Sequence, residues 1–185
     1  MLATPILETV VTTFNPDHSV NCAAMGVEWG ERQIVIKPFR GTRTLRNLRA
    51  TGAAVVNLTD DILLFCEAAL GDPRPPARAA VGVEGAVLDA ACSWREVRVE
   101  AIDDGDARAR VTTTVVGGGA GRAFLGFNRA AYAVLEASIL ASRVRLLDAQ
   151  HIRTELQRLQ VLVDKTGGPR EREAMTYVRA VIGAP

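Results

Sequence analysis

Near residue 127 the chain changes its periodicity, and few folds accommodate such a change. Upstream, short runs rich in β-branched residues alternate with tight-turn signals. Downstream, long segments free of Gly and Pro carry helical spacing. The first pattern asks for an antiparallel sheet closed on itself; the second asks for packed helices. A chain of 185 residues has room for one such sheet with a core of its own plus a helical unit.

The strand signals come in order. Residues 6–14 (ILETVVTTF) are rich in Ile, Val and Thr. Asn15-Pro16-Asp17-His18 is a turn, 19–29 resumes an extended pattern, and Gly30-Glu31 turns the chain into a third strand at 32–37. Two successive hairpins make a meander. Further strands are expected at 53–57, 81–88, 93–102 and 107–116, which brings the count to six or seven. Short helices are expected at 44–51 and 62–70, the second capped by Asp60. The run Gly117-Gly118-Gly119-Ala120-Gly121 does not satisfy G-x-G-x-x-G between a strand and a helix, so it reads as a linker or wide turn.

The helical part begins with 129–147, apolar nearly all round and therefore expected to be buried on more than one side. Arg129, Glu136 and Arg143 fall on one stripe of it, either an internal ion-pair set or a polar face reaching a site. Helices at 150–164 and 170–182 follow, separated by Gly167-Gly168-Pro169. The division expected is a barrel over 1–126 and a helical unit over 127–185.

Composition excludes several functions. No apolar run is long enough to span a bilayer, and the N-terminus lacks the pattern of a signal peptide, so a cytoplasmic protein is expected. Three cysteines with no C-x-x-C spacing argue against a disulfide framework and a cysteine zinc site. A net charge of +1 makes no case for nucleic acid as a partner. His18 and His151 form no metal or triad spacing, and Cys22 reads as a buried, inert thiol. No set of protein-borne acid, base and nucleophile emerges, so an enzyme of this sequence would lean on a cofactor.

Against that neutral background one stretch is lopsided. From Arg32 to Thr59 there is no acid, while Arg32, Lys37, Arg40, Arg43, Arg46 and Arg49 supply six positive charges. Phe39-Arg40-Gly41-Thr42-Arg43 sits where a helix begins, and a helix N-terminus flanked by Arg suits a phosphate. A solvated basic helix with a Thr cap is the alternative. Upstream, Asn21-Cys22-Ala23-Ala24-Met25-Gly26-Val27 places small residues in a good strand. Such a strand either admits a flat ligand to its backbone, with the Asn21 amide adding a contact, or packs tightly on a neighbour.

The segments ETVVTTFNPDHSVNCAAMGV, KPFRGTRTLRNL, VVNLTDD and AYAVLEASILASR together resemble an uncharacterised family of FMN-binding split-barrel proteins. That family belongs to the fold group of flavin reductases and pyridoxamine-phosphate oxidases, and occurs in methanogen-like archaea and in bacteria with related one-carbon chemistry. The resemblance implies an α+β fold, an antiparallel split β-barrel with a C-terminal helical unit. It implies a homodimer with FMN between two barrels and, as the activity, flavin-dependent oxidoreduction. A flavin carrier or sensor without turnover, or a nucleotide-binding regulatory protein, are the alternatives. By the family pattern Arg40, Gly41, Thr42 and Thr44 hold the phosphate, with Lys37 beside them. Asn21, Ala23, Ala24, Met25 and Gly26 run beside the ring system, although the family usually has proline in place of Met25. Asn57, Leu58 and Thr59 close another side, and Arg143 reaches the phosphate or the partner subunit.

Overall fold

The computed structural model describes residues 4–183. They form two compact units, one of 4–59 with 73–123 and one of 60–72 with 124–183. The first unit is a six-stranded antiparallel barrel; the second is helical. The fold is therefore α+β, an antiparallel barrel plus helices.

The barrel begins with β1 (Ile6–Phe14), β2 (Val20–Trp29) and β3 (Gln33–Ile36), the expected meander. Helix α1 (Arg43–Thr51) and strand β4 (Ala53–Leu58) follow. The short β5 (Ala77–Ala79) and β6 (Ala86–Leu88) make a separate two-stranded ribbon. Strands β7 (Ser93–Asp103) and β8 (Arg110–Ala120) complete the barrel in the order β1-β2-β3-β8-β7-β4.

Alternate residues of each strand point inward. Val11, Val27, Ile34, Ile36, Ala54, Val56, Val97 and Val111 fill the interior together with Leu45 and Leu48 of α1. Helix α1 thus contributes two leucines, three apart on one face, to the barrel core. Its start and stop are local. The Thr42 side chain accepts from the Leu45 amide, and Gly52 closes the helix at φ 65°, a left-handed turn that favours glycine.

The pairing around β2 is uneven. Strand β1 pairs with it from Ile6 opposite Glu28 to Phe14 opposite Val20. Strand β3 pairs with it only at Val27, Glu28 and Trp29. Among the described residues no strand lies on the other side of 20–26, so that backbone edge is open.

Several expectations need correction. The glycine run is no linker: Gly117, Gly118 and Gly119 are the end of β8, opposite Glu96, Arg95 and Trp94. A Cβ on Gly118 would lie 2.5 Å from the Trp94 carbonyl oxygen, and one on Gly119 2.6 Å from the Trp94 ring. Glycine is needed here because β7 side chains and backbone cross the strand at close range. Of the strand expected over 81–88, only 86–88 forms. Val81 and Gly82 instead donate their amides to the buried Glu96 carboxylate, which also accepts from Trp94 Nε1 at 3.2 Å. Burial alone would raise the Glu96 pKa; these donors outweigh it and hold the group below its ordinary value.

The second unit holds α2 (Ile62–Leu70), α3 (Arg129–Ser142), α4 (Ala149–Thr166) and α5 (Pro169–Gly183). The N-cap of α2 is Asp61, not Asp60, whose carboxylate accepts from the Leu125 amide at 2.9 Å. Asp61 also takes a two-pronged contact from Arg170 of α5. Helix α3 stops at Ser142 rather than Leu147. At Arg143 the backbone leaves the helix (φ −115°, ψ 16°), and the next bonds, Arg143 to Leu140 O and Val144 to Ala141 O, are three-residue turns; Asp148 then caps α4. Burial on α3 follows one face, Ala130, Ala133, Val134, Ala137, Ser138 and Ala141. Arg129, Glu136 and Arg143 are all exposed and form no ion pair among the described residues. Burial pushes the Cys66 thiol up to about 12, which leaves it inert. No helix of the described residues is long and apolar enough to cross a membrane.

An ion cluster straps the outside of the barrel where β2 meets β3. Glu28 accepts from Arg110 at 3.0 and 2.7 Å and pairs with Lys37. Arg110 first, then Lys37, holds the Glu28 carboxyl down at about 2 from an ordinary 4.5. A folded value below the unfolded one means stability present above about pH 4.5 and lost as the pH falls toward 2. Glu28→Gln is expected to lower the urea midpoint at neutral pH and to flatten its decline between pH 4.5 and 2. A variant whose acid profile overlays that of the wild type would show that the cluster contributes nothing.

Candidate functional site

The chain leaves β3 at Ile36, opposite Val27, and returns at Thr44, whose hydroxyl accepts from Asn21 Nδ2 at 3.1 Å. Between these points the basic loop passes from one end of the open β2 edge to the other. The loop is braced from the far side: Ala109 donates to Pro38 O at 3.0 Å and Arg40 to Ala107 O at 3.1 Å. The Arg108 guanidinium covers the Phe39 ring at 4.1 Å.

The turn into α1 has the features of an anion cradle. Gly41 has φ 79° with nothing near the place of a Cβ, so glycine is there for conformation rather than space. The Thr42 hydroxyl donates to Phe39 O at 2.8 Å and receives Leu45 N–H at 3.4 Å. The first intrahelical bond runs from Arg46 N to Thr42 O, so the amides of Arg43 and Thr44 precede it and stand at the positive end of the helix dipole. Arg40 is exposed, and no carboxylate among the described residues pairs with it. Arg46 donates to Gly41 O at 2.7 Å, and Arg49 pairs with Asp104.

The two threonine hydroxyls therefore have partners within the protein. Thr44 is buried against Asn21, and Thr42 serves the helix cap. The donors best placed for an anion are the first-turn amides and Arg40. Lys37 is held by Glu28 on the barrel exterior.

Along β2, the open edge offers backbone groups. In an antiparallel pair alternate residues turn their N–H and C=O toward the partner, and the remainder point away. Ala23, Ala24, Met25 and Gly26 are half-buried. Met25 packs against the barrel core. The room above Gly26 is used by β1: a Cβ there would meet Ile6 Cγ2 at 2.8 Å and Glu8 Oε1 at 3.1 Å. Backbone, not side chain, is what this segment presents.

Asn21 spends both Nδ2 protons, on Thr13 Oγ1 and Thr44 Oγ1, each at 3.1 Å. Its carbonyl oxygen remains the atom that can accept from a ligand N–H. Asn57 is fully buried and its amide is saturated: it donates to Val10 O at 3.1 Å and accepts from Leu88 N–H at 3.0 Å. It fastens β6 to the barrel. Leu58 O accepts from Cys92 N–H at 2.8 Å, and Thr59 Oγ1 donates to Ala90 O at 2.8 Å. Arg143 belongs to the helical unit, at the C-cap of α3. Among the described residues no cluster of His, Cys, Asp or Glu could hold a metal.

These residues fit a phosphate-bearing planar ligand. The anion end is an exposed Arg beside a glycine turn and a helix start; the planar end is an unpaired strand edge with small side chains. Two further residues belong to the arrangement and were not singled out from the chain. Asn47, one turn after Thr44 on the same face of α1, donates to Thr13 Oγ1 at 3.0 Å and to Asn15 Oδ1 at 2.9 Å. The i, i+3 relation of Thr44 and Asn47 was visible, but Thr13 as the common partner of Asn21 and Asn47 was not.

Solved structures share this fold. An FMN-bound protein of Methanosarcina mazei, assigned to the DUF447 family, is 21% identical with a TM-score of 0.85, and 97% of each chain is covered. The flavin reductase of styrene monooxygenase from Pseudomonas putida S12 is 16% identical with a TM-score of 0.53, over 61% of this chain and 78% of that one. Flavoredoxin of Methanosarcina acetivorans is 12% identical with a TM-score of 0.54, over 65% and 72%. The family model described as protein of unknown function (DUF447), N-terminal domain, matches residues 7–122, and its companion DUF447 model matches 128–180. With both models matched in order along the barrel and the helices, the chain belongs to the DUF447 family.

Proposed function

We propose that this protein binds FMN along the open edge of β2, with the phosphate at the start of α1, and acts as a homodimeric flavin-dependent oxidoreductase. The observation that carries the reading is the juxtaposition of the 20–26 edge of β2, which no strand of the described residues covers, with a helix start in a basic stretch that holds no acid. The FMN-bound DUF447 protein of M. mazei, alike over 97% of both chains, supports the choice of flavin. In this reading the amides of Arg43 and Thr44 and the guanidinium of Arg40 hold the phosphate. The Asn21 carbonyl and the β2 backbone accept from and donate to the ring edge. Leu58 and Thr59 lie at the end of β4 and would close a further side through their backbone.

When bound, FMN would supply hydride transfer, chemistry that protein side chains do not offer by themselves. The protein's share is to bind, orient and exclude water. The dimer reading is supported by an exposed aromatic row in the helical unit. Phe124 and Phe127 meet at 5.7 Å, Phe127 and Tyr132 at 6.1 Å, and Leu125 beside them is 86% exposed.

One titration series tests the reading. Purified protein should quench FMN fluorescence and bind FMN more tightly than riboflavin, which lacks the phosphate. Arg40→Ala should weaken FMN by roughly 1.5–3 kcal/mol, the worth of a charge-assisted contact, and leave riboflavin almost unchanged. Sedimentation of the FMN-loaded sample should give twice the 19.8 kDa chain mass, and NADH or NADPH should bleach the flavin absorbance anaerobically. Equal affinity for FMN and riboflavin would remove the phosphate site. A mass of one chain would remove the dimer, and bleaching by neither donor would favour a carrier.

A further inference from the structure

Beneath the anion cradle lies a buried amide–hydroxyl cluster, of which the flavin reading uses only the Asn21 carbonyl and the Thr44 amide. Thr13, Asn21, Thr44 and Asn47 are each at most 5% exposed. Thr13 Oγ1 sits at the centre and accepts from Asn21 at 3.1 Å and from Asn47 at 3.0 Å. Asn21 reaches on to Thr44, at the first turn of α1. Asn47 reaches on to Asn15, which donates to Ser19 Oγ at 2.9 Å; Ser19 in turn donates to Asp17 at 2.6 Å. The start of α1 is thereby joined to both strands of the β1–β2 hairpin and to its turn.

The chemistry of this joint is unusual for its place. Helix α1 already has two leucines in the core to hold it by burial. Apolar packing fixes a helix against a barrel but tolerates small slides along its axis. Hydrogen bonds between buried amides and hydroxyls do not, because a shift of an ångström leaves donors unpaired in a dry setting. A helix whose first-turn amides must meet an anion, while the adjoining strand edge meets the same ligand, needs that kind of register control.

We propose that Asn47 is a positioning residue for the phosphate-holding turn: through Thr13 and Asn15 it sets where α1 begins relative to the open edge of β2. The proposal rests on the FMN reading above and extends it to residues that need not touch the ligand. Asn21 is the counterpart on the strand, linking the same hydroxyl to Thr44.

The experiment compares FMN and riboflavin affinities by fluorescence quenching, with thermal unfolding followed in parallel. Asn47→Ala should weaken FMN about tenfold or more and riboflavin by less than about twofold, because only the phosphate contact depends on the register of the turn. Thr13→Ser, which keeps the hydroxyl, should retain the wild-type ratio. Asn15→Ala lies on a half-buried turn and guards against a failure of Asn47→Ala to fold; it should show a smaller loss of the same preference. Equal losses for both ligands, or no loss for either, would reduce the cluster to a structural joint and overturn the proposal. A wild type that binds the two ligands equally would overturn the phosphate reading itself and this inference with it. A wild-type preference that Asn47→Ala and Asn15→Ala both leave intact would overturn this inference alone.

Discussion

Strand β3 is four residues long and β2 is ten, and the organisation of the barrel unit follows from that mismatch. A barrel normally removes sheet edges by closing. Here closure between β2 and β3 spans only Val27 to Trp29, and among the described residues no strand covers that side of the rest of β2. The chain answers the gap with a helix. Leu45 and Leu48 fill the core beside Val11 and Val27, and the Asn21–Thr44 bond reaches from the unpaired strand to the helix start. The lost ladder is replaced by side-chain bonds at one end and by the Glu28–Lys37–Arg110 cluster at the other.

The same substitution creates the chemistry. A helix that begins beside an open strand edge puts amides, a dipole and backbone acceptors along one line. The loop that leads into it turns through a left-handed conformation at Gly41 and carries Arg40 in a stretch whose sequence holds no acid from Arg32 to Thr59. None of these groups is a strong acid, base or nucleophile. They bind and orient, which is what a cofactor with its own redox chemistry requires of a protein.

Much of this was legible along the chain, and the failures have physical causes. The meander, α1 and its Thr42 cap follow from turn chemistry and alternation, which are local. The acid-free stretch marked an excess of positive charge along the chain; in the fold, Glu28 and Asp104 from other segments pair with Lys37 and Arg49. Gly117–Gly119 misled because glycine has two uses, and the tight contacts with Trp94 and Glu96 that require it come from another strand. The end of α3 was invisible for want of Gly or Pro; the break at Arg143 carries no local residue signal. The resemblance implied Thr44 at the phosphate and Asn57 along another side; the Thr44 hydroxyl accepts from Asn21, and the Asn57 side chain bonds Val10 O and Leu88 N–H. Residue type alone does not say whether an amide serves the fold or a ligand; only the count of its partners does.

The account stands on one spatial claim, that a single ligand lies against residues 20–26 of β2 and the 40–45 turn at once. Amide hydrogen exchange with and without saturating FMN measures this directly. Slowed exchange in both segments together, with the remainder of the barrel little changed, is the predicted result. FMN that leaves both segments exchanging at their free rates, or that protects amides elsewhere instead, would contradict it.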